Sequence, residues 1–167
     1  MRPKVKIIVF LFIVLSQLSC ERDEICLEDI TPKFIIRFYN ANDPNVLRAV
    51  NGITVNIIGV DGDYENETIT LVTDSIAIPL LVTENKTSFV LTIPGDDPGI
   101  NDNRDTITLT YTQQDIFVSR SCGYKTVYND AEEFLVDDND NWIKGFQTKD
   151  DPQQIIDENA AHAEIYH

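Results

Sequence analysis

Asp105-Thr106-Ile107-Thr108-Leu109-Thr110-Tyr111-Thr112 alternates without a break. Successive side chains of an extended chain point to opposite faces. Ile107, Leu109 and Tyr111 therefore fall on one face, and Thr106, Thr108, Thr110 and Thr112 on the other. An apolar face opposite a hydroxyl face predicts a strand lying half-buried on a core. The same period recurs in Phe34, Ile36 and Phe38 of Lys33 to Tyr39, in Ile53, Val55 and Ile57, and in Phe89, Leu91 and Ile93. Further runs are Glu67 to Val72, Ile116 to Cys122, Tyr124 to Tyr128, Asn141 to Thr148 and Ala161 to Tyr166. Ile76 to Val82 is apolar but contains Pro79, which cannot donate to a ladder, so an edge or broken strand is expected.

Gln113-Gln114-Asp115 reads as a hairpin connection, Gly123 as a bulge, and Pro152 to Asn159 as one or two helical turns with Pro152 near the first helical position. About eight or nine short strands joined by Asp, Asn, Gly and Pro turns predict an all-β fold. The expected form is a single antiparallel β-sandwich, immunoglobulin- or transthyretin-like, over residues 31–167.

The first residues carry a different signal. Arg2, Lys4 and Lys6 precede an unbroken apolar run from Ile7 to Leu15, followed by Ser16-Gln17-Leu18-Ser19-Cys20. A membrane-spanning helix needs about 20 apolar residues, so the run suits a signal peptide. Residues 1–19 read as a lipoprotein signal with Cys20 as the lipidation site. The position three before the cysteine is Gln17, where such signals usually hold Leu, and an ordinary secretory signal is the other reading. Residues 20–30 read as an acidic tether. Its Glu21-Arg22-Asp23-Glu24 resembles surface-export signals of Bacteroidota lipoproteins, or is simply a solvated spacer. These features place the chain in the cell envelope, as an outer membrane lipoprotein facing periplasm or exterior.

Removing residues 1–19 leaves 148 residues, ten Lys+Arg (13 less 3) and 28 Asp+Glu, a formal charge of −18. Nucleic-acid binding needs cations to displace counterions from phosphate, so no nucleic acid is expected as a partner. Attachment to membrane is expected through acyl chains, at about 0.8 kcal/mol per buried CH₂.

With Cys20 lipidated, Cys26 and Cys122 remain. An oxidising compartment favours a disulfide between them; two free thiols are the alternative. The metal candidates are Asp61 and Asp63 in one acidic loop and Asp137 and Asp140 in another, offering hard oxygen ligands to Ca²⁺. Neither loop fits an EF-hand, and turn chemistry alone explains their composition. His162 and Glu164 share a strand face but supply only two ligands, fewer than zinc requires.

Three residues are ligand candidates. Trp142 and Tyr64 lie beside acidic loops and suit a glycan surface, although Trp is ordinarily a core residue. Arg120 shares a strand face with Ile116, Val118 and Cys122, which predicts a carboxylate partner, an anion, or a bulge that turns it outward. Asp74-Ser75-Ile76 and Asp105-Thr106-Ile107 resemble the O-glycosylation triplet of Bacteroidota envelope proteins, with Ser75 and Thr106 as acceptors. No nucleophile elbow, P-loop, zinc-protease or dinucleotide motif occurs. No cofactor and no catalytic residue are expected, and paired carboxylates remain the one route to a hydrolase.

The segments Cys20-Glu21-Arg22-Asp23-Glu24-Ile25-Cys26, Ile30 to Tyr39, Phe117 to Lys125 and Ala161 to His167 together resemble small Bacteroidota lipoproteins of a domain-of-unknown-function family. The resemblance implies an envelope-anchored domain with two body cysteines. It carries no activity and no catalytic residues. The expected function is a non-enzymatic binding or assembly module with an envelope protein partner; the alternative is a carbohydrate- or Ca²⁺-binding surface lipoprotein.

Overall fold

In the computed structural model, residues 25–26, 31–59, 64–65, 71–95, 101–149 and 153–167 are described. They form strands packed as two sheets. The smaller sheet runs β10 (Gly145–Thr148), β12 (Ala163–Tyr166), β1 (Phe34–Asn40), β2 (Asp43–Leu47), with β6 (Ser75–Ile78) also on β1. The larger runs β11 (Gln153–Ile155), β9 (Gly123–Leu135), β8 (Asn103–Ser119), β7 (Lys86–Ile93), β3 (Val50–Ile58), β4 (Tyr64–Glu65), with β5 (Leu71–Thr73) on β3. The expected β-sandwich is the observed architecture.

The alternating runs supply its filling. Phe34, Ile36 and Phe38 face Phe89, Leu91, Ile107 and Leu109 in one core, and all seven are completely buried. Phe34 and Phe89 meet across the two sheets with ring centroids 6.4 Å apart. On the outer face, Ser88 and Thr108 share a hydrogen bond between facing strands (2.8 Å), the type of cross-strand pair that stabilises a sheet modestly.

One pairing departs from the antiparallel expectation. β1 and β12 run parallel, Ile36 against Ala163 and Phe38 against Ile165. The early and late ends of the chain therefore meet inside the smaller sheet. The chain crosses between sheets at Asp74, the single residue between β5 and β6, whose carbonyl accepts from Phe38 N–H. β6 stops before Pro79, as the missing N–H requires.

Two expected turns are different. Gln153–Ile155 is a strand, not a helix, with Gln153 and Ile155 buried at strand period. Gln153 Nε2 donates to His162 O, and Asp157 accepts from Asn159 N–H in a side-chain turn. Such local bonds compete with a helix. Pro152 lies outside the described residues. Gln113-Gln114-Asp115 is not a turn either, for β8 continues through it to Ser119. Polarity misleads there because this part of the strand leaves the core.

Candidate functional site

β7 pairs β8 only from Asn103 to Thr110. Beyond Tyr111, whose N–H donates to Asn85 O, the partner of β8 among the described strands is β9, which pairs it as far as Ser119 against Gly123. The hairpin therefore projects past the sandwich as a two-stranded arm, extending roughly 20 Å at the usual rise of a strand. Past Val127 and Tyr128, which are buried at its base, no arm residue from 115 to 126 is buried, so alternation has nothing to enforce it there. Side chains pair across the arm instead: Asn129 with Gln114, and Thr126 with Asp115.

A bulge marks the arm's root. Tyr111 opposes two residues, Asp130 and Ala131, and Asp130 takes a φ of 51°. An Asp tolerates this left-handed conformation better than most side chains. Tyr111 and Tyr128 pack edge to face beneath the root at 4.8 Å. The Tyr111 hydroxyl donates to Leu81 O and shares a hydrogen bond with Thr87 Oγ1. Gln113 Nε2 donates to Leu81 O and Glu84 O. Burial pushes the Tyr128 hydroxyl up to about 12 and raises that of Tyr111 as well, so both stay protonated at physiological pH. Beside the root lies an open polar depression of about 560 Å³, lined in part by Glu84, Lys86, Asp130 and Glu132.

The far end is closed by Arg120-Ser121-Cys122 and Gly123. Gly123 has φ of 74°, a value glycine adopts without penalty. Cys122 is bonded to Cys26, 96 residues earlier, so the disulfide reading agrees with the structure. Phe117 and Tyr124 face each other across the arm, edge to face at 5.5 Å. They are 60% and 67% exposed, and Ile25 beside the bridge is 82% exposed. Residues 116–127 contain Arg120 and Lys125 and no acid, in a chain with 28 acids.

Several candidate residues have other duties. Arg120 sits in the turn and is exposed, not aligned with Val118, because the strand ends at Ser119. Trp142 is buried in the core against Phe38, and its Nε1–H donates to Leu91 O. It offers no open ring face to a glycan. Asp137 and Asp140 are exposed in a loop of side-chain turns, in which Asp137 accepts from Asn139 N–H and Asp138 from Asp140 N–H. Among the described residues no group of three or more His, Cys, Asp or Glu is placed to hold a metal.

His162 stacks on Phe34, and its Nδ1 accepts from Ile35 N–H. Glu164 turns to Lys149 and Tyr166, so the two do not act as a ligand pair. Ser75 and Thr106 are half-buried in β6 and β8. Cys20, Asp61 and Asp63 lie outside the described residues, as does the side chain of Tyr64 in β4.

Sequence reasoning missed Asp105. It lies in phase with Ile107, Leu109 and Tyr111 and is completely buried. Its carboxylate accepts from Ile143 N–H (2.8 Å) and Trp142 N–H (3.4 Å). Burial drives its pKa above the ordinary value of 3.8, against the pull of those two bonds. The strand phase alone is the signal that marks this carboxylate as internal.

A sandwich with a long disulfide-tipped hairpin is the structural class of this protein. Residues 54–167 match a family of unknown function, DUF6452, and the chain belongs to it. No curated protein and no solved structure matches the chain.

Proposed function

We propose that the protein is a lipid-anchored, non-catalytic module of the cell envelope that engages its surroundings through the arm. The observation that carries this reading is the exposed Phe117–Tyr124 pair, held on a hairpin whose root and tip are both fastened. A two-stranded hairpin is marginal alone, and the bonds at Tyr111, Gln113 and Cys122 pre-organise it. Pre-organisation lowers the ordering cost of binding.

The anchor reading rests on residues 1–20, from the basic start through the apolar run to Cys20. The Cys26–Cys122 bond suits an oxidising compartment outside the cytoplasm. The outer membrane, with the domain facing periplasm or exterior, is the proposed location.

Intact-mass spectrometry of the protein extracted from its native membrane tests the anchor. The expected product starts at Cys20 and carries acyl chains; an unmodified Cys20 thiol overturns it. A photo-crosslinking residue at position 124 tests the arm. Crosslinks in whole cells are expected there, and adducts from position 46 on β2 alone would transfer the function to another surface.

A further inference from the structure

We infer that the tip of the arm rests on the surface of the bilayer that holds the anchor, with Phe117, Tyr124 and Ile25 at the headgroup level. This inference builds on the lipid-anchor reading of Cys20. Its geometric basis is covalent. Cys26 is six residues from Cys20, and six residues span at most about 20 Å even fully extended. Cys26 is bonded to Cys122 at the tip. The tip is therefore confined to within that reach of the membrane, whatever path the intervening residues take.

The rest of the fold agrees with this orientation. β1 starts at the end from which the arm projects: Phe34 pairs Ile78, and the adjoining Leu80 carbonyl accepts from Tyr128 at the arm's root. The chain thus enters the sandwich from the tip's side. Charge is divided the same way. Residues 116–127 hold two cations and no acid, whereas Asp102, Asp137, Asp138 and Asp140 are exposed at the opposite end of the β8–β9 hairpin. The tether bonded to this tip is itself acidic, with Glu21, Asp23 and Glu24 before Cys26, so the acyl anchor and the exposed rings hold the tip at the surface, and the two cations only moderate its repulsion from anionic lipid.

The exposed residues are also of the right chemistry. Tyr carries an apolar ring with a polar tip and concentrates where membrane meets water. Phe and Ile supply area for shallow burial, and Arg120 can reach lipid phosphates while its stem lies along apolar surface; Lys125 is turned back, donating to Ile156 O. An acyl chain gives the membrane one attachment point; the tip gives it a second and fixes how the sandwich stands.

The test uses the full chain, expressed with its signal and purified from membranes, carrying Phe117→Trp. It is reconstituted into phosphatidylcholine–phosphatidylglycerol vesicles whose acyl chains are brominated close to the headgroup. The expected result is loss of the emission added by Trp at position 117, relative to unbrominated vesicles. The emission of Trp142, buried at the other end of the sandwich, should not change. Tyr124→Trp repeats the reading if the first variant folds poorly. Intact mass separates the two ways to fail. An acylated chain with undiminished added emission overturns the docking and leaves the anchor standing. A chain without acyl groups overturns the anchor, and the docking with it. A protein crosslink from position 117 in cells, alongside undiminished emission, assigns the tip to a protein instead.

Discussion

Replacing Asp105 by Ala should destabilise the sandwich by about 2–4 kcal/mol. Asp105 is the only tie described between the β8 strand and the backbone at Trp142 and Ile143, and it is inaccessible to solvent. Alanine leaves two buried N–H groups without an acceptor, and each such loss costs about 1–3 kcal/mol. The 2.8 Å bond to Ile143 falls at the upper end and the 3.4 Å bond to Trp142 at the lower. Relief from burying a carboxylate offsets part of the total. Asp105→Asn keeps an oxygen for Ile143 and should cost about half as much.

Urea unfolding is the assay. At a slope of about 2 kcal/mol/M, the alanine variant's midpoint falls by about 1–2 M with the slope unchanged. The pH dependence gives a second check. The folded pKa of Asp105 lies above 3.8, so the native state binds a proton more readily than the unfolded chain. Stability from this group is thus present below the unfolded pKa and declines as pH rises through the folded one. The wild type's margin over Asp105→Asn should narrow across that interval. An alanine variant within about 0.5 kcal/mol of wild type, the usual range for an exposed site, would refute the reasoning, as would an asparagine variant equally damaged.

Other perturbations separate structure from function. Cys122→Ser opens a bridge between residues 96 apart and should lower stability by about 2–4 kcal/mol, read from urea midpoints with and without reductant; coincident midpoints would contradict it. Phe117→Ser removes only an exposed ring, so the melting curve should move by no more than about 0.5 kcal/mol while crosslinking from position 124 falls. Burial opposes the Glu164 carboxylate, yet hydrogen bonds from Lys149 and Tyr166 and the Lys149 charge hold its pKa below 4.5. Its stabilisation is present above that value and lost as pH falls through the folded pKa. Because Lys149 is 45% exposed, Lys149→Ala should cost under about 1 kcal/mol and raise the Glu164 pKa in an NMR titration.

Strands packed on the core were legible because burial on one face writes a period of two into the chain. Phe34 to Phe38, Phe89 to Leu91 and Ile107 to Tyr111 all show it, and all are buried as read. The arm was not legible for the reciprocal reason. Where the strand leaves the core, Gln113, Gln114 and Asp115 are themselves half-buried or exposed and as acceptable in a strand as in a turn, and only β9 reveals which they occupy. Arg120 is exposed, in line with the outward-turned alternative and not with the shared face, because the strand ends one residue earlier. The loop neighbours of Trp142 point to a glycan surface, but the core contact with Phe38 and the bond to Leu91 decide its place. The disulfide was legible by elimination among three cysteines, whereas its position at the end of a projecting hairpin needed the fold.

The parallel pairing of β1 with β12 has a kinetic meaning. Ile36 pairs with Ala163, 127 residues later, and Phe38 with Ile165. Contacts this distant in sequence carry a large loop-closure entropy and slow folding. A chain emerging from the ribosome amino end first can assemble the β7–β8–β9 meander early, but its smaller sheet must wait for the last four-residue strand. Until then β1 keeps an open side along Ile36 to Tyr39. For the envelope location proposed above, such delay is an asset: a polypeptide bound for a narrow translocation channel stays threadable until its late strands are through.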